Sequence, residues 1–198
     1  FLKYQILPLI IFQFLLLNNL NGEDWPNWLG PNYNGAVEVT IDSHSETYNV
    51  KEKWLTLVGE GWSAPIVSGQ MVYLHDRTND KENLTCYNIF SGKVIWKFSF
   101  ASTYRDDFGM QNGPRSTPSI SQGIIVIHSP GGLVHAINKE NGKLKWKKDL
   151  LGEFGSPKGF FGRCSSPLIL EDKIILDVGG IYVGLIALSL NSGDTLWK

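Results

Sequence analysis

The sequence predicts an all-β chain made of four-stranded units set side by side, and three observations predict it. First, one phrase occurs three times without a gap: "TCYNIFSGKVIW" (85–96), "HAINKENGKLKW" (135–146) and "IALSLNSGDTLW" (186–197). Each reads small-x-polar-x-x-x-Gly-x-x-x-Trp. The small residue is Cys86, Ala136 or Ala187, and the polar one Asn88, Asn138 or Ser189. The glycine is Gly92, Gly142 or Gly193, and the tryptophan Trp96, Trp146 or Trp197. Second, a Ser-x-Pro anchor precedes each copy, with prolines at Pro65, Pro118 and Pro167. The tryptophans stand 50 and 51 residues apart and the prolines 53 and 49, so two independent anchors share one period. Third, short runs of β-branched and aliphatic residues alternate with turn signals between the anchors. Four short strands repeated every 50 residues or so are the pattern of a β-propeller blade.

Taken in order, the chain opens with an apolar leader. Residues 1–22 hold one cation, Lys3, and an apolar run from Ile6 to Leu17. The run is too short to span a bilayer comfortably and matches the centre of a secretory signal peptide. Cleavage near Gly22 is the first reading, although Leu20 is large for that site; an uncleaved N-terminal anchor is the alternative. Residues 23–57 then form an N-terminal segment. Trp54, in "VKEKWLTL" (50–57), reads as an outer-strand tryptophan without the upstream glycine, on a strand that closes the ring.

Three blades follow, at about 58–100, 113–150 and 162–198. In the middle one the strands are placed at Pro118–Ser121, Ile124–His128, Leu133–Asn138 and Leu144–Lys148. The turns between them are "SQG", "SPGG" and "KENG". Asn-Gly and Ser-Gly supply the positive φ that a tight hairpin needs. The tryptophan covers a large apolar area and offers an indole N–H. Propellers need roughly four to eight blades. Three therefore read as an incomplete ring, part of a protein about twice as long and truncated at both ends. The connections 100–113 and 152–162 are long and lie where loops decorate one rim of a propeller channel.

Net charge is −1, which argues against a general nucleic-acid or membrane-surface binder. The two cysteines, Cys86 and Cys164, form no metal-ligand or CxxC pattern. Cys86 aligns with alanines and reads as a buried filler; Cys164 lies nearer the rim. Arg115 and Arg163 stand just before two of the anchors, and Trp62 holds the comparable place in the first. These three are the candidate ligand-binding residues, suited to an anionic or planar ligand. The alternative is that the arginines tie loops by bonding backbone carbonyls. Asp106 and Asp107 beside Arg105 read as a solvated turn rather than an acid–base or Ca²⁺ pair. His75, His128 and His135 lack metal-ligand spacing, His44 sits in a polar loop, and no nucleophile elbow appears. No metal site is expected. "NLT" (83–85) matches a glycosylation acceptor, without meaning in a bacterial source.

The repeated phrase resembles the tryptophan-docking repeat of the pyrroloquinoline-quinone-like β-propellers, in the quinoprotein alcohol dehydrogenase-like superfamily. The typical phrase there has Asp where this chain has Asn88, Asn138 and Ser189, which is expected to weaken a turn hydrogen bond. "DWPNWLGPNYNG" (24–35), "GPRSTPSI" (113–120) and "RCSSPLIL" (163–170) resemble a secreted group common in planctomycetes and related marine bacteria. The resemblance implies an exported protein, periplasmic or extracellular in a bacterium. It implies a non-catalytic module binding an envelope protein, peptide or glycan, or, as the alternative, a quinoprotein dehydrogenase oxidising an alcohol or sugar. The quinone with Ca²⁺ would be the cofactor only under that alternative. The family's dehydrogenases hold the quinone with a stacked tryptophan and a vicinal cysteine pair. This chain has no adjacent cysteines, and among its seven tryptophans only Trp62 is left to stack.

Overall fold

The computed structural model describes residues 23–37, 51–155 and 157–198. The leader at 1–22 and His44 lie outside the described residues. The chain forms three four-stranded antiparallel sheets, each strand bonded to the next in sequence. The first holds β1 (Ile66–Ser68), β2 (Met71–Thr78), β3 (Lys81–Asn88) and β4 (Val94–Ala101). The second holds β5 (Ser119–Ser121), β6 (Ile124–His128), β7 (Leu133–Asn138) and β8 (Leu144–Asp149). The third holds β9 (Leu168–Leu170), β10 (Lys173–Asp177), β11 (Leu185–Ser189) and β12 (Thr195–Trp197). These are the blades of an incomplete propeller. A short helix, α1 (Leu150–Phe154), sits in the connection read from sequence as loop. The Asp149 carboxylate accepts from the Gly152 amide at 2.9 Å and caps it, and Gly155 ends it at φ 59°.

The blades pack face to face through alternation along their middle strands. Ile125, Ile127 and Ile137 join Ile66, Tyr73, Leu84 and Cys86 in one core. Ile124, Val126, Val134 and Ala136 of the same two strands join Ile174, Leu176, Ile186 and Leu188 in the other. Successive strand residues point to opposite faces, so the middle blade buries both. That is why β6 reads "IIVIH", an apolar run with no polar alternation, and is buried throughout.

The repeated phrase is the joint between blades. In each copy the small residue lies opposite the tryptophan: Cys86 with Trp96, Ala136 with Trp146, Ala187 with Trp197. The register slips immediately afterwards in all three, a bulge that bends the outer strand. The indole then reaches the next blade. Trp96 Nε1 donates to the Lys139 carbonyl at 3.2 Å and Trp146 Nε1 to that of Leu190 at 2.9 Å. Each ring lies on the glycine three residues beyond that carbonyl. A β-carbon at Gly142 would come within 2.6 Å of the Trp96 ring, and one at Gly193 within 2.7 Å of Trp146. Glycine is therefore demanded twice, by the close approach and by a φ of +70° or +75° in the turn.

Trp54 obeys the same rule. Its Nε1 donates to the Ile89 carbonyl at 2.8 Å and its ring covers Gly92. Residues 51–57, the described part of the stretch read as a ring-closing strand (50–57), carry no ladder. The missing upstream glycine is no defect, because a docking tryptophan uses the glycine of the unit that follows it. The Asn-for-Asp change also costs little. Asn88 Oδ1 accepts from the amides of Phe90 and Ser91, and Asn138 Oδ1 from those of Glu140 and Asn141. Ser189 keeps one longer bond, to the Ser192 amide at 3.3 Å.

Candidate functional site

The candidate site lies at the end of the blades where each unit begins. There the Ser-x-Pro anchors are linked in a chain. Ala64 N donates to Thr117 Oγ1 at 3.1 Å, and Thr117 N to Ser166 Oγ at 2.9 Å. The middle residues of the second and third anchors thus each accept from the middle amide of the anchor before.

A layer of buried polar groups supports the loops above. Arg77, 2% exposed, donates to the carbonyls of Asn79, Ser102, Tyr104 and Asn112 at 2.8–3.1 Å. It stitches the 102–113 connection to the β2–β3 turn with one planar fork. Asp76 accepts from the Gly59 amide at 2.7 Å and from Asn83 Nδ2 at 2.9 Å. Below them His75 Nε2 lies 3.1 Å from Glu82 Oε2, with both side chains fully buried. Glu82 Oε1 accepts from Ser129 Oγ at 2.6 Å, across the seam to the second blade. Burial pushes the Glu82 carboxyl up, but His75, Ser102 and Ser129 together hold it below the usual range. Burial pushes the imidazoles of His128 and His135 down to about 4. Sequence reasoning missed this layer: "HDRTNDKEN" reads as a polar hairpin, and only the overlying loop buries it.

Arg115 occupies the centre of the rim. Its Nη2 pairs with Asp106 Oδ1 at 3.0 Å, the side chains being 5% and 2% exposed. Its Nη1 donates to Tyr104 Oη at 3.0 Å and to the Phe161 carbonyl at 2.7 Å. Asp106 is therefore not the solvated turn the sequence suggested. It accepts from the Met110 and Phe108 amides as well, and these bonds with the Arg115 pair lower its carboxyl. Asp107, by contrast, is exposed and meets Lys158 at 2.7 Å. Arg115 so joins the two inter-blade connections by their backbone and by one buried carboxylate.

Trp62 rests on this assembly. Its ring lies 5.2 Å from the guanidinium carbon of Arg115, with Phe161 at 5.6 Å and Tyr104 at 5.8 Å around the same cation. The indole is 55% exposed. Beyond it Phe108 and Phe160 stack at 4.0 Å, and Phe161 meets Phe160 edge-on at 4.6 Å. Phe108, Met110 and Phe160 are all exposed. Trp62 and Arg115 are thus brought together. Arg163 is engaged with other partners. Its Nη2 donates to the Pro157 carbonyl and its amide to that of Pro130. Its Nη1 lies so near Gly179 that a β-carbon there would come within 2.9 Å. Burial raises the Cys164 thiol, while Arg115 and Arg163 oppose the rise. Among the described residues no group of three His, Cys, Asp or Glu is placed to hold a metal ion.

The family model described as "Outer membrane protein assembly factor BamB" matches residues 80–198. The protein of that name from Yersinia pestis is 26% identical over 131 residues, 66% of this chain and 28% of its own length. The quinohemoprotein alcohol dehydrogenase of Comamonas testosteroni is 25% identical over 130 residues, 63% of this chain and 16% of its own. The chain therefore spans under a third of either relative. Among solved structures, a europium-containing methanol dehydrogenase superposes with a TM-score of 0.53 at 17% identity, over 71% of this chain and 25% of its own. That likeness speaks to the fold alone.

Proposed function

The chain belongs to the family of the outer membrane protein assembly factor BamB, within the pyrroloquinoline-quinone-like propeller superfamily, and from that premise we propose that it is an exported, non-catalytic binding module. Its rim engages a protein, peptide or glycan of the bacterial envelope. One observation carries the reading. The polar groups of the rim are engaged in holding loops, while its apolar groups face solvent. Arg115, Asp106 and Arg77 are buried and bonded inward. Trp62, Phe108, Met110 and Phe160 are exposed side by side on a backing that fixes them. A rigid aromatic surface with a polar rim suits association, since little side-chain entropy remains to be lost on binding.

The dehydrogenase alternative draws on the quinohemoprotein relative and on Trp62. The described residues do not fit the quinone. The Arg115 guanidinium that would meet its carboxylates is already bonded to Asp106, Tyr104 and Phe161. Among the described residues no acids are clustered for Ca²⁺, and the two cysteines are separate and free.

The test is photo-crosslinking with a reactive residue at Phe160, compared with Lys143 at the opposite end of the blades. A binding module gives an envelope product from Phe160 alone, and the product disappears in Trp62→Ala. Equal products from both positions, or none from either, would refute it. A rise in melting temperature with quinone plus Ca²⁺, and dye-linked alcohol oxidation, would instead establish the enzyme.

A further inference from the structure

The first strands of the sheets, β1, β5 and β9, each have one edge bonded within their own sheet and the other left outside its ladder. Such inward edges carry unpaired backbone groups. One segment of the chain, residues 24–35, reaches all three. Trp25 bridges Val67 of β1 through two backbone bonds, N to O and O to N, both 2.9 Å. The very next carbonyl, that of Pro26, accepts from the Ile120 amide of β5 at 2.8 Å. Tyr33 Oη then donates to the Ile169 carbonyl of β9 at 3.3 Å.

The segment is also anchored at its start. Asp24 Oδ1 accepts from the Gly69 amide at 2.7 Å and Oδ2 from Ser68 Oγ at 2.9 Å. Both lie in the β1–β2 turn, at the end of the blade away from Trp62 and the Ser-x-Pro anchors. Lys139 Nζ, from the second blade, donates to the same Ser68 Oγ at 3.3 Å. Between Pro26 and Tyr33 the chain folds on itself. Gly30 N bonds Asn27 O, Tyr33 N bonds Gly30 O and Gly35 N bonds Leu29 O, at 2.9–3.2 Å. The Trp25 ring lies against Gly30, where a β-carbon would come within 2.7 Å and φ is +77°. The knot is therefore too tight to admit any side chain at position 30. Asn27 is buried within it at 6% exposure.

We propose that residues 24–35 are an edge plug: a knot that covers the inward edges of β1, β5 and β9 and clamps the three blades together. At β1 and β5 the plug works by backbone pairing to free edges, the same contact by which a foreign strand adds to a sheet, and at β9 through the Tyr33 hydroxyl. It blocks that addition at the edges it covers. The device does not rest on what the rim binds.

The experiment is amide hydrogen exchange on the full chain, compared with Gly30→Val and Asp24→Ala. With the plug in place the Val67 and Ile120 amides are protected. Both variants should accelerate exchange at these two positions by about tenfold or more, while Ile125 and Ile137 in the second blade hold their rates. A synthetic peptide of residues 23–37 added to the Gly30→Val protein should restore the protection. Unchanged exchange at Val67 and Ile120 would overturn the plug. So would a uniform rise across all blades in both variants, which would make the segment part of the global fold rather than a local closure.

Discussion

Replacing Gly142 with alanine separates the two reasons for glycine in the docking turn. The backbone there has φ +70°, and the new methyl would stand 2.6 Å from the Trp96 ring. Gly123 provides the control, with φ +74° and nothing within 4 Å of its would-be β-carbon. Gly123→Ala should therefore carry the left-handed strain alone, about 1–2 kcal/mol. Gly142→Ala adds overpacking of about 1–3 kcal/mol, for a total of about 2–5 kcal/mol. Trp96→Ala alone should cost about 3–5 kcal/mol. In that background the clash has no partner, so Gly142→Ala should fall back to the Gly123→Ala value. The cycle should then show a coupling of about 1–3 kcal/mol. Urea unfolding followed by circular dichroism measures all four states. Equal costs at the two glycines, or strict additivity with Trp96→Ala, would show that the indole does not press on the glycine.

Other perturbations test the remaining layers. Trp54→Phe keeps an aromatic ring but removes the bond to Ile89, and should lower stability by about 1 kcal/mol in the same assay. His128 and His135 are held down to about 4 when folded, against 6.5 unfolded. The unfolded chain therefore binds more protons between these values, and stability should fall as pH drops from about 6.5 to about 4, by up to about 1.4 kcal/mol per pH unit for each histidine. Glu82 acts in the same direction at lower pH, because its folded carboxyl is depressed and the stability it adds is lost as it protonates. Melting curves from pH 7 to 4.5 should show this slope, and His135→Gln should flatten it; an unchanged slope would assign the acid sensitivity elsewhere. Arg115→Gln should free the 102–118 and 157–163 connections to limited proteolysis while the sheets keep their circular dichroism.

The blades were legible because their joints repeat. Gly92, Gly142 and Gly193 with Trp96, Trp146 and Trp197 recur at one spacing, and the packing they produce follows from ring size and backbone angle. Trp54 was half legible: its type and place pointed to an outer edge, but its glycine lay in the next unit, outside the window in which the motif was sought. The rim was legible as a location and not as a network. Trp62 and Arg115 were singled out as departures from the repeat, yet nothing in "YRDDFG" separates Asp106, buried against Arg115, from Asp107 in solvent. Burial of a polar strand by a loop from another part of the chain leaves no local period to read. The same holds for Glu82 beneath Ser129, and for Trp25 and Tyr33, whose partners lie 42 and 136 residues further on.

The bonds of Asp24 also fix an orientation. They hold Asp24 to the β1–β2 turn, at the end of the blades away from Trp62. Its neighbour Glu23 is exposed. A label or bead linker attached at that side chain would therefore sit at the turn end of the sheets. Tethered there, the molecule would stand with its aromatic rim turned outward.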